Sequence, residues 1–157
     1  PLFVAQNLHD KVVFIGSGRL GFPAQGLFAM ALGCDMIAVA REAMLSIGCI
    51  QAQKCHTGEC PTGVATQSTW LGRGLDPTSK SKRLAHYLTS LRKEMMQLAR
   101  ACGVPHPALV TTEHFTFMEG PVSRSATEAY AYDPSWRALA EANIQEIRAL
   151  SAPIEGH

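Results

Sequence analysis

The chain has 157 residues, which is enough for one ordinary domain core, and its formal net charge is +1. Apolar residues make up 46% of it and charged residues 17%, so it has the composition of a globular protein. Nothing in that balance indicates a nucleic-acid or anionic-membrane partner, and no apolar run approaches the ~18 residues of a membrane span.

The first part of the chain predicts alternating strands and helices. The apolar run at 12–15 predicts a strand, residues 22–33 a helix, residues 34–41 a second strand and residues 42–48 a short helix. Because both strands lack polar alternation, we expect them to be buried on both faces in a parallel sheet. The order and the short connections predict an α/β fold. Two strands cannot form a parallel sheet alone, so we expect the chain to be part of a longer one.

The rest of the chain predicts an irregular segment followed by helices. Residues 49–74 are rich in Gly, Thr and Cys and show no periodicity. Asp76-Pro77 offers the start of a long helix and Gly103 its end. Its predicted apolar face consists of Leu84, Leu88, Leu91, Met95, Leu98 and Cys102. A last helix is predicted from Asp133-Pro134, with Trp136, Leu139, Ile144, Ile147 and Leu150 on its apolar side.

A glycine-rich turn, GSGRLG, follows the first predicted strand from Gly16 onwards, and Arg41 ends the second. Glycines before a helix let backbone N–H groups approach an anion, and a guanidinium can bind phosphate in a bidentate way. The pattern therefore predicts a phosphate site, although a tight turn with a surface arginine is the simpler alternative. It is not the dinucleotide-binding fingerprint, because Asp35 begins its strand instead of ending it.

Three of the five cysteines stand close together in a C-x5-C-x4-C pattern, at Cys49, Cys55 and Cys60, and Pro61 follows the third. Three thiolates without a near fourth suit a [3Fe–4S] cluster, and a proline after the last cysteine is typical of ferredoxin-type segments. Zinc held with the help of His56 is the alternative. Spacing alone does not separate the two, and simple packing in a turn is the third possibility.

The remaining cysteines, Cys34 and Cys102, are predicted to pack in the core. An odd number of clustered thiols does not resemble a secreted disulfide framework. We therefore expect a reducing, cytoplasmic location.

The cysteine segment GCIQAQKCHTGECPTGVATQ (48–67) resembles the iron–sulfur segment of the FMN-binding glutamate synthase family. The preceding residues 12–45 resemble the seventh and eighth barrel strands of that family with their helices. Residues 75–110 resemble the tail of its stand-alone members. The resemblance implies the C-terminal part of a (β/α)8 TIM barrel: barrel strands and helices in 1–47, an iron–sulfur loop in 48–74 and a helical tail in 75–157.

The resemblance implies two cofactors, FMN and a [3Fe–4S] cluster. The implied cluster ligands are Cys49, Cys55 and Cys60. The implied contacts of the FMN phosphate are Gly16, Ser17, Gly18, Ala40 and Arg41. Glu42 departs from the family pattern, which often has glycine after the arginine.

The resemblance also implies an activity. Family members pass electrons through the cluster to FMN, which reduces 2-iminoglutarate, formed from 2-oxoglutarate and ammonia, to glutamate. The implied partners are this substrate or a related amino acid, an electron donor such as ferredoxin or an NAD(P)H-dependent reductase subunit, and further copies in an oligomer. No catalytic acid or base can be named from this chain, and the family's contacts to 2-oxoglutarate and the flavin ring lie mostly on earlier strands. The alternatives are a zinc-stabilised structural segment of a barrel protein and an incomplete fragment without activity of its own.

Overall fold

The computed structural model describes residues 3, 6, 8, 11–133 and 139–151. The chain forms two compact units, the first of Pro1–Ala38 with Glu94–His157 and the second of Val39–Lys93. The fold class is mixed α/β, as predicted. Among the described residues, no helix combines the length and apolar character that crossing a bilayer requires.

The first unit contains a two-stranded parallel sheet. Strand β1 is Ile15–Ser17 and strand β2 is Met36–Ala38, and helix α1, Pro23–Ala31, connects them. Ser17 pairs with Ala38, so both strands end at the same edge of the sheet. The first strand lies later than the predicted 12–15 and the second is shorter than the predicted 34–41. Pairing decides these limits, because a strand exists only where its backbone groups meet a partner.

The strands are not buried on both faces, which corrects the sequence prediction. Val13 is 65% exposed, Ile15 62% and Met36 57%. A parallel sheet is normally covered by helices on both faces and flanked by further strands. With two strands, this sheet has too few neighbours in the described residues to cover these side chains.

The core of the first unit lies between helices. Its buried members are Leu27 and Ala31 of α1, Ala99 of the long helix and Val110, with Val104 and Phe115 packed against them. Helix α1 ends in a Schellman motif, in which Gly33 donates to Met30 and Cys34 to Ala29.

The long helix, α4, is Pro77–Ala101, close to the predicted limits. At its start the Asp76 carboxylate accepts hydrogen bonds from the amides of Thr78 and Ser79, at 3.1 and 3.2 Å. The predicted apolar face is correct only in part. Leu91 and Met95 are buried, whereas Leu88 and Leu98 belong to the exposed residues. The buried stripe continues through Ala99, which a search for large apolar side chains overlooks.

A β hairpin interrupts the predicted helical tail. Strands β3, Thr116–Glu119, and β4, Val122–Ser125, pair antiparallel and are followed by the short helix α5, Ala126–Ala129. The ring of Phe28 in α1 lies 5.1 to 5.7 Å from three other rings, measured between centroids. These rings belong to Phe115, Phe117 and Tyr130. The hairpin is therefore anchored by aromatic contacts from distant parts of the chain.

The last helix, α6, is Glu141–Ser151, and Leu139 and Ala140 precede it without helical structure. The predicted start at Pro134 and the predicted contact of Trp136 lie outside the described residues. Leu150 is 81% exposed, so the predicted apolar side is not buried along its length.

The second unit begins with helix α2, Arg41–Ser46, close to the predicted 42–48. The irregular segment after it contains a single 3-10 turn, Cys55–Thr57, and the short helix α3, Thr69–Gly72. The first part of α4 completes this unit.

Replacing Leu27 by Ala should lower the free energy of unfolding by about 2–5 kcal/mol, because this side chain is 1% exposed and its removal leaves a cavity. Leu150→Ala is the matched control, and because Leu150 is exposed it should change stability by less than about 0.5 kcal/mol. Urea denaturation measures both. Equal effects would show that the core has been located wrongly.

Candidate functional site

The glycine-rich turn after β1 divides into a packed part and an open part. Gly16 lies within β1, and a Cβ there would stand 2.8 Å from the sulfur of Cys34, so this glycine is required for packing. Ser17 and Gly18 are exposed. Gly18 has a φ of +119°, and no atom lies within 4 Å of the position of an added Cβ. An anion can therefore approach the backbone closely at this turn.

The second group of predicted phosphate contacts begins helix α2. Ala40 is its N-cap and Arg41 its first residue, and both are exposed. Arg41 was predicted to end the strand, but β2 already ends at Ala38. Ala40 and Arg41 belong to the second compact unit, whereas Ser17 belongs to the first.

Glu42, which follows Arg41 directly, is only 8% exposed, in contrast to the exposed Arg41 beside it. Burial raises the pKa of Tyr87, and the negative charge of Glu42 raises it further. The Glu42 carboxylate therefore lies near Tyr87 within the second unit.

The cysteine segment begins at the end of α2. Gly48 donates a hydrogen bond to the carbonyl of Leu45 and Cys49 donates one to that of Met44, both at 3.0 Å, which is a Schellman motif. The amide of Gln51 donates to the sulfur of Cys49 at 3.4 Å. The first thiol of the segment thus has a fixed backbone and a hydrogen-bond donor.

The second thiol has a different environment. Cys55 is exposed and begins the 3-10 turn Cys55–Thr57. Before it, Gln51 and Gln53 adopt left-handed φ values of 57° and 55°. Such values are uncommon outside glycine and mark a backbone that its surroundings hold in place.

The third thiol, that of Cys60, is buried in a nest of donors. The Thr62 hydroxyl lies 3.4 Å from its sulfur. Hydrogen bonds from this hydroxyl, and then from the amides of Ala65, Thr62 and Val64, lower the pKa of Cys60 to about 7, although burial opposes the change. Stabilisation of sulfur as an anion is what a thiolate ligand or a reactive thiol requires.

The nest is held by close packing against α3. Gly63 has a φ of +79°, and a Cβ there would overlap the carbonyl oxygen of Leu71. A Cβ at Gly74 would stand 2.8 Å from the carbonyl oxygen of Thr62. Two glycines therefore permit the backbone around Cys60 to approach the neighbouring turn, which holds the amide donors around the sulfur.

The three thiols share one segment but do not converge. All five cysteines are free. In the part of the chain that the structure describes, no three His, Cys, Asp or Glu side chains are grouped closely enough to hold a metal ion. The donor chemistry fits a thiolate-bound centre, because three soft sulfur donors lie in one short segment and two of them accept hydrogen bonds. The segment from Cys49 to Cys60 would have to draw its sulfurs together around such a centre.

Sequence reasoning missed the residues that surround the thiols. The amides of Thr62, Val64 and Ala65 carry no side-chain signal, since any residue supplies an N–H group. The available signal was the glycine and threonine content directly after Cys60. Glu42 was expected near the phosphate because it follows Arg41 in sequence, whereas the fold buries it.

The chain is similar to known proteins over much of its length. A family model described as "Conserved region in glutamate synthase" matches residues 2–105. A "glutamate synthase large subunit-like protein YerD" of Bacillus subtilis is 38% identical over 111 residues, which cover 71% of this chain and 21% of that protein. A "glutamate synthase large subunit-like protein" of Rhizobium meliloti is 34% identical over 116 residues, which cover 64% of this chain and 26% of that protein.

An "archaeal glutamate synthase [NADPH]" of Archaeoglobus fulgidus is 30% identical over 99 residues, which cover 63% of this chain and 19% of that protein. The chain thus spans about a fifth to a quarter of the length of these curated relatives. No solved structure matches it.

In metal-free protein, alkylation of Cys60 should reach half its maximal rate near pH 7, since its thiolate is stabilised. Thr62→Val should move that midpoint to higher pH because the strongest donor is lost, and Thr57→Val, in the same segment, is the control. Peptide-resolved mass spectrometry measures the rates. An unchanged midpoint in Thr62→Val would contradict the hydrogen-bond assignment.

The lowered pKa of Cys60 should also raise the free energy of unfolding of the metal-free protein as the pH rises from about 7 to 9, because in that range the unfolded thiol still binds its proton.

Proposed function

The chain belongs to the glutamate synthase family, and on that premise we propose that it is the C-terminal part of an FMN-dependent, iron–sulfur oxidoreductase domain. The order β1, α1, β2, α2 with parallel strands supports its assignment as the last two units of a (β/α)8 barrel. The exposed apolar side chains of β1 and β2 are what such a piece would present to the rest of a barrel.

The proposed FMN contacts are the two exposed segments that follow the strands. The backbone at Ser17 and Gly18 offers an open turn, and the Arg41 guanidinium is exposed at the first residue of α2. Gly16 supports the turn through its packing on Cys34, and Ala40 caps α2. Arginine binds phosphate oxygens in charge-assisted pairs, so Arg41 would supply most of the attraction.

The proposed cluster ligands are Cys49, Cys55 and Cys60. The observation that carries the proposal is the set of donors around sulfur: Gln51 on Cys49, and Thr62 with its neighbours on Cys60. Hydrogen bonds to sulfur stabilise thiolate ligands and set the potential of an iron–sulfur centre. Cys55 is exposed and begins its own 3-10 turn, so among the three proposed ligands it is the one most open to solvent.

The bound cofactors would supply one-electron transfer and hydride delivery to 2-iminoglutarate, formed from 2-oxoglutarate and ammonia, to give glutamate. The residues of this chain hold and orient those groups and lower the energy of negative charge on sulfur. Because several relatives are named for NADPH, we propose an NAD(P)H-dependent reductase subunit, or alternatively ferredoxin, as the electron donor. A cytoplasmic location and an oligomeric state stay predictions. The whole reaction needs segments beyond this chain, which covers about a fifth of several relatives.

An anaerobic absorption and EPR spectrum of the full-length protein tests the proposal. A flavin band with a [3Fe–4S] signal would support it. A colourless protein that contains zinc would assign the cysteines a structural role and contradict the proposal. Cys55→Ser should then lower the iron content and abolish or weaken the EPR signal, because a three-ligand centre loses one ligand. Cys102→Ser, outside the segment, is the control and should leave both unchanged.

Arg41→Ala should weaken FMN binding by roughly ten- to hundredfold, because a charge-assisted hydrogen bond to phosphate contributes about 1.5–3 kcal/mol. Arg73→Ala is the control, since Arg73 is exposed in the same unit and lies over the Trp70 ring at 5.5 Å. Flavin fluorescence on titration of apoprotein measures the affinity. Equal affinities of the two variants would remove Arg41 from the site.

A further inference from the structure

An apolar groove lies between the start of α1 and the last two turns of α4, within the first unit. We call it the α1–α4 groove. Its volume is about 540 Å³, and its lining includes Phe22, Leu98 and Ala101. Phe22 is 55% exposed and Leu98 37%, although both are large apolar side chains. Apolar side chains that stand together at a surface mark a place where another segment binds.

Helix α6 carries an apolar side that the fold covers only in part. None of its residues is buried, and Ile144 and Ile147 are half-buried. These two isoleucines lie three residues apart and therefore share one side of the helix. A helix of 11 residues owes most of its stability to the packing of its apolar side, so this side requires further cover.

The groove and the helix match in length. Along α4 the groove extends from Glu94 to Ala101, which is about 10 Å at the rise of an α-helix. Along α6 the same number of residues separates Glu141 from Arg148, and the two isoleucines lie between them. An amphipathic helix that binds in a groove uses apolar residues at this kind of spacing.

The charges at the two ends are complementary when α6 runs antiparallel to α4. Glu94 lines the groove at one end, and Arg100 is exposed on α4 near the other end. In the antiparallel arrangement the exposed Arg148 would face Glu94. The exposed Glu141 would face Arg100. A parallel arrangement would bring charges of the same sign together at both ends, which is unfavourable.

The helix that fits the groove is present in every copy of the chain. In the part of the chain that the structure describes, the groove is lined by residues of α1, by Phe22 before it and by α4, and α6 of the same chain does not enter it. Each copy thus has one open groove and one partly covered helix that complements it. Two copies that exchange these contacts form a closed twofold pair, in which every contact occurs twice.

We propose that the α1–α4 groove binds helix α6 of a second copy of this chain, antiparallel to α4, with Ile144 and Ile147 against its apolar lining. This inference goes beyond the proposed function and does not depend on it, because it uses no residue of the cysteine segment and none of the proposed FMN contacts.

Sedimentation velocity of the full-length protein at several concentrations tests the proposal. The wild type should dimerise. Glu94→Arg and Arg148→Glu should each raise the dimer dissociation constant by roughly ten- to hundredfold, because each change places like charges together at two symmetry-related positions. The double variant restores opposite charges and should return the constant towards that of the wild type. Arg124→Glu, exposed on β4, is the matched control and should leave it unchanged.

A second pair of variants tests the apolar contact. Ile147→Ser should raise the same dissociation constant, because it removes an apolar side chain from both copies of the contact. Ala149→Ser, at an exposed position on another side of α6, is its control and should leave the constant unchanged.

Three results would overturn the inference. The first is a wild type that stays monomeric at its highest soluble concentration. The second is a dimer that neither charge reversal weakens, or whose weakening the double variant does not reverse, since the contact would then lie elsewhere or another part of the full-length chain would cover the groove. The third is a monomer in which the single reversals lower the free energy of unfolding and the double variant restores it, which would place α6 in the groove of its own chain.

Discussion

The turn at Gly48 is the constraint on which the candidate site depends. Its left-handed backbone ends α2 and fixes the amide of Cys49 on the carbonyl of Met44. Its missing side chain leaves the space that the Lys80 ammonium fills. A single glycine therefore ends α2 and leaves room for the lysine side chain, and the irregular segment that follows starts from a hydrogen-bonded backbone.

The three thiols of that segment differ in burial and in the number of hydrogen-bond donors around the sulfur. Cys60 is buried among four donors, Cys49 accepts one hydrogen bond, and Cys55 is exposed. The segment therefore holds the donors around Cys60 and Cys49 in place and leaves the Cys55 thiol accessible. Donors that are already oriented towards sulfur need little reorganisation when negative charge develops on it. The close contacts of Gly63 and Gly74 extend this rigidity to α3.

In the first unit the core lies between helices and not on the sheet. Its core is formed by helices around Leu27 and Val110, whereas the side chains of Ile15 and Met36 in the sheet are exposed. A sheet normally forms the centre of an α/β domain, so this arrangement fits a chain that spans about a fifth of several of its relatives. Under the proposed function, these exposed apolar strands would pack against further strands outside this chain.

Some features follow from the sequence alone because they depend on neighbours in the chain. Helix limits at Pro77 and before Gly103 follow from caps, and the cysteine spacing together with the residues after Cys60 identified the family. Other features depend on partners distant in sequence. The position of β1 required its pairing with β2, the hairpin required the ring of Phe28, and the Lys80 contact required α4 to pack on the end of α2. Local caps, spacings and the donors around the thiols are encoded within a few residues, whereas strand limits and burial depend on long-range packing, and only the tertiary structure decided them.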